Sequence, residues 1–265
     1  MGDFHLTYLI YIFAILIGIL TGGITSLIGA SGVMVIVPVL TMFFHISAHV
    51  AIGTSLFVDV IASIVVSYNY FKNGNVDIKS GIWIAVSSIA GAQLGAFWAS
   101  YMKEGTLSGL FGIVLIVSGI HLFIKSNAEK AEKSGRPVRF PQKWQRITLS
   151  VLIGIGIGIL SGLFGAGGGV MILLALVIIM AYPMHKAIGT STLIMAMTAL
   201  SSMSGYVARG NIDFPLGCLL AAGAVIGGII GARFANKICE NILQKFVSIF
   251  FAGLGVAMTI SVFVK

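Results

Sequence analysis

Charged side chains are scarce in this chain: Asp, Glu, Lys and Arg make up 9% of its residues. Soluble domains carry about 25%. A soluble fold of 265 residues could not cover itself with so few water-facing groups, so lipid must be the solvent for most of its surface. Cysteine is scarce too. Cys218 and Cys239 stand apart and match no metal or redox spacing, which leaves them as small apolar fillers. No cofactor-binding or metal-ligating pattern appears. The first five residues hold Asp3 but no basic n-region, and no A-x-A-like cleavage site follows. The first apolar run therefore reads as a retained helix and not as a signal peptide.

Apolar sequence is abundant. Hydrophobic residues make up 58% of the chain and mean hydropathy is +1.06. A spanning helix needs about 20 apolar residues. The candidate runs are 6–28, 33–44, 51–71, 78–101, 106–124, 147–164, 170–182, 187–208, 214–235 and 242–264. Five lie on each side of the one long hydrophilic stretch. The organisation expected is a membrane repeat over 1–124, a basic cytoplasmic linker over 125–146 and a second membrane repeat over 147–265.

The halves resemble each other at a shift of 136 residues. His49-Val-Ala-Ile-Gly-Thr-Ser55 returns as His185-Lys-Ala-Ile-Gly-Thr-Ser191, and Gly74-Asn-Val-Asp77 as Gly210-Asn-Ile-Asp213. Gly91 and Gly95 return as Gly227 and Gly231. Upstream, Gly29-Ala-Ser-Gly32 matches Gly165-Ala-Gly-Gly-Gly169 with one residue inserted. An odd number of spans per half turns the second half over in the membrane. The positive-inside rule agrees with both termini outside, which places 13 of the 16 Lys and Arg on the linker side. If segments 33–44 and 170–182 re-enter instead of crossing, the repeats are parallel and the split falls to 11 and 5. The net charge of +8 thus speaks to orientation in a cell membrane and not to a nucleic-acid surface. The fold class expected is an all-α polytopic membrane protein of two inverted five-segment repeats, the second segment of each half short. Such inverted repeats typify secondary transporters, whose sites lie near the midplane.

The short segments locate the chemistry. Twelve helical residues reach about 18 Å, against a hydrocarbon core of roughly 30 Å. A flanking turn must then lie at membrane depth, where non-helical backbone is tolerated only inside protein or beside a water-filled cavity. The Gly-rich runs are those turns, and each opens a helix whose first N–H groups and positive dipole end suit an anion. The candidate substrate residues are Gly29, Ala30, Ser31, Gly32, Gly165, Gly167, Gly168 and Gly169, with hydroxyls from Thr54, Ser55, Thr190 and Ser191. Small residues also serve simply to pack helices closely in lipid. No Lys or Arg lies deep in a segment, so dipoles and hydroxyls would hold a central anion. Asp59 lies mid-segment, and an intramembrane acid is a functional candidate by default. It is one proton-coupling candidate; His49 and His185, which precede helices, are the others. The position matching Asp59 is Met195, so the acid stands outside the duplicated set.

The paired Gly-rich turns, the paired H-x-A-x-G-T-S runs, the G-N-[VI]-D turns and the basic central loop resemble the sulfite exporter TauE/SafE family, also called the 4-toluene sulfonate uptake permeases. The resemblance covers nearly the whole chain. It implies a secondary transporter of a small sulfur anion such as sulfite, a sulfonate or sulfoacetate, coupled to protons or the membrane potential, in either direction. A homo-oligomer is compatible with the chain. One departure is Ala175, which stands in the region matching Pro38. An anion channel of the same fold is one alternative. Gly29-Ala-Ser-Gly32 also matches the G-x-S-G of rhomboid intramembrane proteases, which would make Ser31 a nucleophile. The matching turn in the second half has no serine, so the enzyme reading is set aside.

Overall fold

The computed structural model describes residues 2–128, 143–165, 168–180, 182, 184–234, 249, 252–253, 255–257 and 259–260. Among them all regular structure is α-helix. The helices are α1 Gly2–Ile28, α2 Val33–Met42, α3 Ala48–Lys72, α4 Ile78–Ala99, α5 Glu104–Ala128, α6 Lys143–Phe164, α7 Gly169–Met180, α8 Met184–Val207 and α9 Phe214–Phe234. The sequence segments map onto these helices in order. Most of segment 242–264 and the centre of the linker lie outside the described residues. The described part of that last segment packs on α5, where Gly112 meets Gly255 and Thr259.

Five of the helices have stretches long and apolar enough to cross a membrane: Ala48–Lys72, Gly81–Ala99, Ile147–Phe164, His185–Val207 and Phe214–Arg233. Their outward faces carry Phe97, Trp98, Leu152, Leu200, Ile226 and Ile230, all exposed, as expected where lipid replaces water. α2 is different. With 10 residues it reaches about 15 Å, and Val33 through Leu40 are all buried.

Small residues select the helix partners. Gly18 and Gly22 of α1 lie against the backbone of Leu220, Gly223 and Ala224 of α9, and Gly227 lies against Ile19. The same design joins α4 to α6, with Gly158 against Ser88 and Ala92, and Gly95 against Ile159 and Gly162. A side chain at any of these glycines would strike main chain, which is how small residues set close approach in membranes. The registers also give direction. Along α1 and α9, and along α4 and α6, contacting residue numbers rise together, so each pair runs the same way. α3 runs with α9, since Phe57 meets Phe214 at 5.7 Å and Val66 meets Gly228. α4 runs with α8: Gly81 lies by Thr190 and Ile194, Ser88 bonds Thr198 at 2.8 Å, and Gln93 bonds the Ser201 carbonyl at 2.7 Å.

Each of α3 and α8 ends in the same tight turn. Gly74 and Gly210 take φ of +71° and +70°. Gly74 N–H bonds Phe71 O and Asn75 N–H bonds Tyr70 O, while Gly210 and Asn211 repeat the pattern on Val207 and Tyr206. This is the glycine-terminated cap in which two returning N–H groups satisfy the last carbonyls of the helix.

Candidate functional site

α1 stops because Gly29 adopts φ +72°, a conformation glycine reaches without a Cβ penalty. Its N–H still bonds Thr25 O at 3.0 Å; Ala30, Ser31 and Gly32 then turn the chain back into α2. Ser31 ties the turn together. Its Oγ accepts from Val33 N–H at 3.3 Å and donates to Asp59 Oδ2 at 2.9 Å. Asp59 sits near the middle of α3, about 17 Å from its first residue at 1.5 Å per residue, so the turn it holds is at mid-helix depth. In the second half Gly165 (φ +66°) and Gly168 (φ +62°) make the corresponding break. Ala166 and the candidate Gly167 lie outside the described residues.

The two breaks meet. Gly169, the first residue of α7, lies against the Gly29 carbonyl, beside Met195. A Cβ on Gly29 would come to 3.2 Å from Leu173 and 3.7 Å from Ser191 Oγ. One on Gly165 would come to 2.7 Å from Ile52 and 3.4 Å from Val33 and Leu56. Each turn is therefore seated on the short helix and the G-T-S helix of the other half. Ser31, Thr54, Ser55, Asp59, Thr190 and Ser191 are all 0–1% exposed, buried in this conformation.

The hydroxyls have defined partners. Ser55 donates to Ile52 O at 2.8 Å and Ser191 to Ile188 O at 3.0 Å. Thr54 Oγ1 accepts from Asp213 N–H at 2.9 Å, and Thr190 Oγ1 accepts from Asp77 N–H at 2.9 Å. Gly53 and Gly189 let the carbonyls of Asn211 and Asn75 approach. The repeated G-T-S run of each half is thus the docking place for the repeated G-N-[VI]-D turn of the other. The sequence carries both motifs in duplicate but does not show that they are partners. The signal available was their joint duplication.

The remaining candidates lie apart. His49 Nε2 is 3.0 Å from Ala99 O, ten residues before Asp59 on α3. His185 is exposed at the start of α8. Next to it Lys186 pairs with Asp77 at 3.1 Å and lies 4.9 Å over the Tyr182 ring; with both side chains partly exposed, such a pair is worth about 0–1 kcal/mol. Among the described residues no three His, Cys, Asp or Glu side chains gather as metal ligands.

Membrane-length helices, with a short broken helix from each half meeting in the interior, have the build of a membrane transport protein, a class already suggested by the doubled motifs. The chain belongs to the sulfite exporter TauE/SafE family, whose model matches residues 14–258. It is 31% identical over 237 residues to the probable membrane transporter protein YdhB of Bacillus subtilis, covering 88% of this chain and 94% of that one. It is 26% identical over 259 residues to the probable membrane transporter protein MJ0441 of Methanocaldococcus jannaschii, covering 92% and 93%. No solved structure gives a significant match.

Proposed function

We propose that this protein is a secondary transporter of a small anion, a sulfur oxyanion or an organosulfonate, which passes between the two Gly-rich turns. The observation that carries the reading is the meeting of Gly29 and Gly169 at the depth of Asp59. Two helix breaks at mid-depth leave peptide N–H groups and dipole ends where lipid-buried backbone has no other use. Family membership supports a sulfur-containing substrate. The absence of any Lys or Arg deep in a segment favours a weakly held, rapidly released monoanion or dianion over a large polyanion.

The inverted arrangement of the halves belongs to the same reading, and the helix directions support it. α1 runs with α9 and α9 with α3, so α1 and α3 point the same way and α2 runs back between them. The tight turn at Gly74 sends α4 back, and α6 runs with α4. The first helix of the second half then opposes that of the first.

The test is uptake into proteoliposomes of sulfite, thiosulfate, sulfate, short sulfonates and carboxylates, with and without a pH gradient or membrane potential. Accumulation of a sulfur anion above its equilibrium level is expected under at least one driving force. Flux that only dissipates gradients would make the protein a channel, and uptake of none of the sulfur anions would overturn the reading.

A further inference from the structure

Asp59 is a polar group that the duplicated architecture does not explain. Its carboxyl is 1% exposed. It takes the Ser31 hydroxyl on Oδ2 at 2.9 Å, and Oδ1 has no hydrogen-bond partner. The carboxyl therefore sits at the opening of α2, where an anion would sit. A helix N-terminus favours negative charge, and here the protein supplies its own. The second half differs at each point of this arrangement. Met195 stands in place of Asp59 and lies beside Gly169, Gly167 replaces Ser31, and Ala199 replaces Ser63. Ser63 is one turn along α3 from Asp59, buried, with its Oγ unpartnered. Side chains four residues apart on a helix are neighbours, so Ser63 offers the carboxyl a second resting place away from the turn.

We propose that Asp59 is a built-in competitor for the anion: charged, it occupies the α2 turn and repels substrate, and protonated, it releases the turn and admits substrate. The inference rests on the anion site proposed above and makes transport a proton–anion symport. When the anion binds, one proton resides on Asp59 and travels with it. Loss of that proton on the far side restores the carboxylate, which displaces the anion from the turn. Two like charges within a few ångström in a low-dielectric interior exclude one another far more strongly than in water, so the competition needs no larger movement than a side-chain rotation.

The other charged groups lie toward helix ends, while the two tyrosines nearest the turns hold their protons on carbonyls: Tyr70 donates to Ser26 O at 3.2 Å, and Tyr206 donates to Gly162 O and Leu163 O at 3.2 Å. On α3 itself, His49 faces the Ala99 carbonyl and Lys72 lies over the Tyr68 ring. Among the described side chains packed on α3, those of α2 include none. α1 offers Tyr11 near its start, and α5 offers Glu104 in its first turn. α8 offers His185 and Lys186 at its start, with Tyr206 and Arg209 near its far end. On α9, Asp213 turns to Leu216 N–H, Cys218 is exposed and Arg233 occupies the last turn.

The experiment measures binding of ethanesulfonate, whose charge is constant across the range, to purified full-length protein between pH 5 and 9. For the wild type the dissociation constant should rise with pH, approaching about tenfold per unit once Asp59 is ionised, since one proton is linked to one anion. Asp59→Asn should bind with a dissociation constant that changes less than about twofold over the range. Asp59→Ser, small enough to keep a contact with Ser31, should do the same and decides the matter if the Asn variant fails to fold. A wild-type affinity independent of pH, or a slope unchanged in both variants, would overturn the competition while leaving the anion site standing. No ethanesulfonate binding by any of the proteins at any pH would sink the anion site, and this proposal with it.

Discussion

Glycine at the two breaks is required for different reasons on the two sides. A Cβ on Gly32 would come to 2.9 Å from Thr21 Cβ, so Gly32→Val pushes the turn away from α1. Gly168 holds φ +62° and also faces Ile157, so Gly168→Val adds backbone strain of about 1–3 kcal/mol to a clash. Both variants should abolish uptake while the protein still inserts, which sulfite or sulfonate flux and a monodisperse elution profile check together. Ser55 and Ser191 call for a smaller effect. Each hydroxyl donates within its own helix, so Ser55→Ala and Ser191→Ala should weaken apparent affinity by about tenfold or less, water substituting in part for a hydrogen bond to a charge. A hundredfold loss in either would mean that serine is a principal ligand.

At the scale of elements, cross-half docking supplies the testable energetics. Thr54→Val removes the acceptor of the Asp213 N–H and keeps the shape, so a part-buried donor loses its protein partner at about 0.5–1.5 kcal/mol. Thr190→Val should cost a similar amount through Asp77, and the two should add, because the two bonds share no partner. Thermal unfolding in detergent measures this; no shift in either variant would mean that water takes the place of the threonine oxygen. The glycine seams offer a matched pair on one helix. A Cβ on Gly156 meets nothing within 4 Å, whereas one on Gly158 strikes the backbone of Ser88 and Ala92. Gly156→Ala should therefore be neutral or slightly stabilising, by about 0.5–1 kcal/mol of helix propensity. Gly158→Ala should destabilise by about 1–3 kcal/mol through overpacking.

At the scale of the molecule the proposal is one of sidedness. Single cysteines at Gly2, Ser134 and Lys265, in a chain with Cys218 and Cys239 replaced, should divide in an accessibility experiment on intact cells. Positions 2 and 265 should label from outside and position 134 only after the membrane is opened. Labelling of all three from one side would remove the inverted arrangement and with it the meeting of two equivalent half-sites. The Lys186–Asp77 pair has no counterpart in the other half, where Val50 and Asp213 stand. The two docking turns are therefore chemically unequal even though the motifs repeat.

What the sequence determined by itself follows from local physics and from the solvent. So few charges demand lipid, segment lengths demand spans and two short exceptions, and glycine runs demand helix breaks; each is decided within about 20 residues of chain. The doubled motifs further disclosed the repeat and the family. Which surfaces meet was decided only in three dimensions. Nothing local says that α1 pairs with α9, that Thr54 receives Asp213 from 159 residues away, or that Asp59 closes on Ser31 across 28 residues. In lipid, apolar faces gain little by finding one another. Partners are chosen instead by small-residue contour and by the need of buried polar groups for mates, and both are properties of surfaces assembled from distant parts of the chain.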